Sequence, residues 1–169
     1  METGLGFTLH RIHWQLFGSF TFKSERLADS VRQRMWFAWL RFTARRLRVP
    51  FPRLLWCRRQ ELGEITSRLH YHGLIAGLPP EALCPSLNFE LMAAWQSLGG
   101  GWARVSIYQD DRDGVGYLLK GLGYASHAER FYEFGKFGSQ HCDLMLSNSA
   151  IRTLRRAMLS RHQTGKQIR

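Results

Sequence analysis

The stretch Arg68-Leu69-His70-Tyr71-His72-Gly73-Leu74-Ile75-Ala76 decides how the rest of the chain is read. It is rich in aromatic and aliphatic residues and reads as a β-strand. It follows a second such run, from Arg53 to about Leu62, and Gly63 to Ser67 connect the two. Two strands joined so closely form an antiparallel hairpin. Side chains alternate faces along a strand, so His70 and His72 project from the same side. Leu69 and Tyr71, with Leu74 and Ile75, anchor the strand in the core.

Upstream of the hairpin, Trp14, Leu16, Phe20 and Phe22 recur at even spacing around Gly18, which is a strand period. Ser24 and Glu25 then offer a helix start, and Leu27, Val31, Met35, Ala38 and Phe42 step by three or four residues along its buried face. Pro50 and Pro52 stop that helix. Downstream, Pro79, Pro80 and Pro85 mark a loop, and Leu87, Leu91, Ala94 and Leu98 predict a shorter helix ended by Gly99-Gly100-Gly101. Trp102 to Tyr108 reads as a further strand. The acidic turn Asp110-Asp111-Arg112-Asp113-Gly114 leads into a helix from about Val115 to Tyr124. Residues 126–147 show no sustained period, and Ser147 or Asn148 caps a last helix through about Ser160. This order predicts an α+β fold with a central, mainly antiparallel sheet of about five strands, RRM-like or ferredoxin-like, flanked by helices.

The 169 residues fit a single domain, with a core over about 14–125 and a basic C-terminal extension over 126–169. With 44% apolar and 13% aromatic residues there is ample material for a core. Lys and Arg number 24 against 13 Asp and Glu, a formal charge of +11, which favours a polyanionic partner: nucleic acid first, an anionic membrane surface second. No run approaches the ~18 apolar residues of a membrane-spanning helix, and the start of the chain lacks the pattern of a secretory signal. A cytoplasmic protein with no membrane partner is expected. Cys57, Cys84 and Cys142 form neither a disulfide framework nor a zinc pattern, and no GxxxxGK[ST] occurs with which to hydrolyse ATP.

Imidazoles at the spacing of His70 and His72 can grip one ion, with Mn, Zn, Fe and Ni as candidates; a nearby carboxylate favours a harder ion. Glu61, near the end of the preceding strand, faces the two histidines across the hairpin and completes a three-ligand face. Glu64 is the alternative, because the hairpin register is open at this stage. A second group lies in Gly116-Tyr117-Leu118-Leu119-Lys120-Gly121, where Tyr117 and Lys120 share a helix face. A neighbouring ammonium favours a phenolate and neutralises phosphate charge. Tyr124, two helical turns on, faces the same way and reads as a packing or DNA contact, with a second nucleophile as the alternative.

Taken together, an aromatic first strand (Leu16 to Phe22), the segment Arg68 to Ile75, and Gly114-Val115-Gly116-Tyr117-Leu118-Leu119-Lys120 resemble the HUH endonucleases, specifically the single-tyrosine initiators of rolling-circle replication. The resemblance spans roughly residues 14 to 124, and the middle motif is the most specific. It implies a Mg or Mn ion held by His70, His72 and Glu61, with Tyr117 as nucleophile and Lys120 beside it. It implies nicking and rejoining of single-stranded DNA, or of a hairpin at a replication origin, through a 5′-phosphotyrosine. Rejoining by reversal needs no ATP, which agrees with the missing P-loop, and a host helicase and polymerase are the implied partners.

Such an enzyme needs a groove for its strand. Arg41, Arg45, Arg46 and Arg48, then Arg53, Arg58 and Arg59, then the arginines from Arg152 onward supply charge, and Trp36, Trp39, Trp56 and Trp102 supply rings, although most of these tryptophans belong in a core. The basic last helix is suited equally to duplex DNA and to a plain amphipathic end. Two alternatives remain at this stage: a single-tyrosine transposase with the same chemistry, and a non-catalytic nucleic-acid-binding module for which the histidines and Tyr117 are immaterial.

Overall fold

Leu16, Gly18, Phe20 and Phe22 alternate with Phe17, Ser19 and Thr21, so the first strand has one apolar and one mixed face. The computed structural model describes residues 9–62, 68–119 and 144–164, with side chains of the last helix through Arg156. Its elements are β1 (Leu16–Phe22), α1 (Asp29–Arg46), β2 (Leu55–Leu62), β3 (Leu69–Ala76), α2 (Pro85–Ser97), β4 (Gly100–Ile107), α3 (Gly114–Leu119), β5 (Leu144–Leu146) and α4 (Asn148–Thr164). The strands form one five-stranded sheet in the order β4-β1-β3-β2-β5, and every pairing is antiparallel. The fold is therefore α+β, as the sequence predicts.

The apolar face of the sheet is covered by α1 and α2. Phe20 packs against Trp36, Trp39 and Trp95 at ring-centroid distances of 5.5, 4.7 and 5.0 Å. Each of two indole N–H groups finds a carbonyl: Trp39 Nε1 donates to Leu91 and Trp95 Nε1 to Thr21, both at 2.8 Å. Glycine at 73 lets α1 lie close to β3, because a Cβ there would stand 2.6 Å from Trp36 Cη2.

The opposite face is only half covered. A second core of Leu9, Trp14, Cys57, Leu74, Val115, Leu118, Leu144, Leu146 and Leu154 packs α3, α4 and the segment before β1 onto one end of β2 and β3. The other end presents Ser19, Thr21, His70, His72 and Glu61 beside Arg104 of β4, because paired positions share a face and Ser19 lies opposite both His72 and Arg104.

Several boundaries differ from the sequence reading. The long helix begins at Asp29 rather than Ser24; the Ser24 hydroxyl accepts the Arg26 N–H at 3.2 Å, which makes a turn, and Ala28 is still extended. Trp14, Arg53 and Arg68 lie just outside their strands, and Phe51–Arg53 is a short 3₁₀ turn. The three-residue β5 lies in the stretch that showed no period and is too short to display one.

A candidate metal centre beside a tyrosine

The β2–β3 register puts Glu61 directly opposite His70, and Arg59 opposite His72. Glu61, rather than Glu64, is therefore the carboxylate that the described residues bring to the histidines; Glu64 lies outside them, as do Lys120 and Tyr124. Glu61 Oε1 stands 3.4 Å from His70 Nε2 and 3.6 Å from His72 Nε2. One potential ligand atom from each residue lies within 4.8 Å of the other two.

The hydrogen bonds around the imidazoles matter more than the distances. His70 Nδ1 lies 3.1 Å from the Arg68 carbonyl oxygen, which can only accept, so Nδ1 carries the proton. His72 Nδ1 lies 2.9 Å from Ser19 Oγ. Its Nε2 is buried with no hydrogen-bond partner. Burial, then the neighbouring His70, lower the His72 pKa to about 4 against the opposing pull of Glu61, so the ring is neutral at physiological pH. A serine hydroxyl can donate or accept; in the tautomer whose Nδ1–H donates to Ser19, the Nε2 lone pair of His72 points at the Glu61 oxygen. Two imidazole nitrogens and a carboxylate oxygen this close can share a proton or a cation between them. The donor set of two nitrogens and a carboxylate oxygen could hold a divalent metal ion.

Tyr117 stands at the edge of this group. Its ring is 5.0 Å from that of His72 and nearly perpendicular to it, and 6.0 Å from Phe17. The residue is 48% exposed, so its phenol faces solvent. Asp113 fixes this placement: its left-handed backbone (φ 40°) ends the acidic turn, its Oδ1 accepts the Gly116 N–H and its carbonyl accepts the Tyr117 N–H, both at 2.9 Å. A Cβ at position 116 would fall 2.0 Å from Asp113 Oδ2, so this cap requires glycine there.

Three further residues belong to the site and were not singled out as such from the sequence. Ser19 orients His72, Phe17 stacks on it at 5.9 Å, and Arg59 Nη1 lies 3.5 Å from Glu61 Oε2 while donating to the Leu118 carbonyl at 3.0 Å. The alternation of β1 was the available signal for Phe17 and Ser19. The arginine cluster of α1 lies on the other side of the sheet: Arg46 pairs with Glu90, and Arg41 stacks over Phe51. Arg58 is buried against the Tyr71 ring at 4.1 Å, and burial pushes its guanidinium pKa down. Trp36, Trp39 and Trp56 are core residues, whereas Trp102 is 58% exposed on the same face as the histidines.

Comparison with known proteins gives no matching family model, no matching curated protein and no matching solved structure. Among the described residues no helix is long and apolar enough to cross a membrane.

Proposed function

We propose that the chain is a metal-dependent nickase and strand transferase for single-stranded DNA, of the kind that starts rolling-circle replication of a phage, plasmid or related element. The observation that carries the reading is the convergence of Glu61, His70 and His72 with an exposed tyrosine whose ring touches that of His72. A phenol and a three-ligand cation site in contact, on the open face of a sheet in a strongly basic chain, suit transesterification of a phosphodiester.

Glu61, His70 and His72 would hold Mg or Mn. When bound, such an ion neutralises phosphate charge and polarises the scissile group. The Tyr117 oxygen forms a bond to phosphorus as the bond from phosphorus to the 3′-oxygen breaks. The phenolic proton leaves to solvent, and the departing 3′-oxygen takes up a proton. The products are a 5′-phosphotyrosine and a free 3′-hydroxyl, and the reverse reaction rejoins the strand. Ser19 and the Arg68 carbonyl keep the imidazoles in the required tautomer, and Asp113 keeps Tyr117 at the rim.

Incubation of a labelled hairpin oligonucleotide with the protein and Mn tests the proposal. Covalent capture that disappears in Tyr117→Phe supports it. Binding without capture favours the non-catalytic module, and capture undiminished in Tyr117→Phe overturns the assignment of the nucleophile.

A further inference from the structure

On the β4 side of Tyr117 lies a cavity of about 260 Å³ whose lining includes Phe17, Ser19, Arg104, Ser106, Tyr108 and Tyr117. Ser19 of β1 and Ser106 of β4 line it from adjacent strands, Ser106 pairing with Phe17 and Ser19 with Arg104. The rings of Phe17 and Tyr117 meet at 79°. Gly114 lies against both Tyr108 and Phe17: a Cβ there would stand 2.7 Å from Tyr108 Cε2 and 3.1 Å from Phe17 Cδ2. Arg104 and Arg112 are exposed and contribute to the lining, and Gln109 adds an amide.

Two of these walls are shared with the metal centre. Tyr117 packs against His72 on one side and lines the cavity on the other, and Ser19 does the same through its hydroxyl. A strand whose phosphate reaches the Tyr117 hydroxyl therefore brings a neighbouring nucleotide to the cavity mouth. Pockets for drug-sized molecules begin near ~300 Å³, so this one has room for a single ring system and not for two stacked bases. Aromatic walls attract any base, whereas hydroxyls and an amide discriminate between base edges, and guanidinium groups at the rim suit the flanking phosphates.

We infer that this cavity seats one nucleobase, that of the nucleotide adjoining the phosphate Tyr117 attacks, and so reads one base of the single-stranded DNA. The inference rests on the function proposed above, which names the strand; the cavity adds where the strand is read.

The test uses the full chain in EDTA with short single-stranded oligonucleotides of mixed sequence, each carrying one 5-iododeoxyuridine. Binding is followed by fluorescence anisotropy, and photo-cross-linked peptides are identified by mass spectrometry. Cross-links are expected at Phe17, Tyr108 or Tyr117. Ser106→Leu fills the cavity and should remove them and weaken binding by roughly tenfold, the loss of one stacked base, while phosphate contacts keep the oligonucleotide bound. Ser106→Ala keeps the space open and should retain them, and melting curves of both variants confirm folding. Bound oligonucleotide that cross-links only elsewhere, at Trp102 for example, overturns the inference and leaves the nicking proposal standing, as do cross-links undiminished in Ser106→Leu. Absence of binding overturns both. Normal cross-links without covalent capture in Mn overturn the nickase and the place given to the base beside an attacked phosphate, and support the cavity only as the base seat of a non-catalytic binding module.

Discussion

The two faces of this sheet are made from the same strands and have little else in common. On one, Phe20 meets three buried tryptophans and Tyr71 packs against Trp36 and Phe22. On the other, the residues one position along, Ser19, His70 and His72, face a carboxylate, an exposed phenol and an open cavity. Burying a polar group is costly unless it is paired, so a chain that only needed to fold would gain by covering this second face as well. The second core does so at one end, with Cys57, Leu74 and Leu118, and stops where the histidines begin. Stability is made on the first face, and the second is left open for chemistry.

The largest effects should separate the two faces cleanly. Trp36→Ala removes a fully buried indole that touches Phe20, Trp39, Trp56 and Tyr71. It should cost about 3–5 kcal/mol, measured by denaturant unfolding. Tyr117→Phe removes one hydroxyl from a half-exposed ring and should leave stability within about 0.5 kcal/mol while abolishing covalent capture. A capture-dead Tyr117→Phe that also unfolds would erase the distinction between the faces.

On the site face, acid should act through His72. An unperturbed histidine titrates near ~6.5, whereas His72 is held at about 4 in the folded, metal-free protein. Between those values the unfolded chain binds the proton and the folded chain does not, so stability rises with pH across that window. Acidification from about pH 6.5 to about pH 4 should therefore remove on the order of 2–3 kcal/mol, with no further loss from this group below. His72→Gln, which cannot titrate, should flatten the profile measured in EDTA. A profile unchanged by that substitution would mean that other groups carry the acid sensitivity.

Much of this division was readable in the residues. The alternation through Leu69 to Ile75 put both histidines on one face, and the hairpin put an acid across from them. The choice between Glu61 and Glu64 needed the register, which depends on a connection whose geometry the residue types do not specify. The contact of Tyr117 with His72 joins segments 45 positions apart (117 minus 72), and no local period encodes it. The α1 arginines lie away from the histidines for a simple reason: a helix that buries Trp36 and Trp39 against one face of the sheet cannot line the other. Arg104 and Arg112, which do lie by the site, are single residues in a strand and a turn with nothing local to distinguish them.

A smaller effect is expected at Trp102. It is the exception among the tryptophans considered for the groove, exposed on edge strand β4 two positions from Arg104. Stacking of a base on an exposed ring is worth about 1–3 kcal/mol. Trp102→Ser should thus weaken binding of single-stranded oligonucleotides by roughly tenfold, read by anisotropy, and lower the melting temperature very little. An equal change in melting temperature and no change in affinity would assign this ring to packing.

Arg59 tests the boundary between the faces most finely, because it belongs to both halves of the open one. The same Nη1 atom approaches Glu61 and donates to the Leu118 carbonyl on the helix that carries Tyr117. A guanidinium 3.5 Å from a carboxylate competes with any divalent ion for that carboxylate, and it helps lower the His72 pKa. Its link to α3, however, holds the tyrosine helix against the sheet. Arg59→Met keeps length and loses both charge and donor. Mn should then bind several-fold more tightly by calorimetry while covalent capture slows, two changes of opposite sign from one substitution. If Arg59 instead serves to hold Glu61 in place for the ion, Mn affinity will fall together with the rate, and the arginine will count as support for the ligand set rather than as a tie between carboxylate and nucleophile.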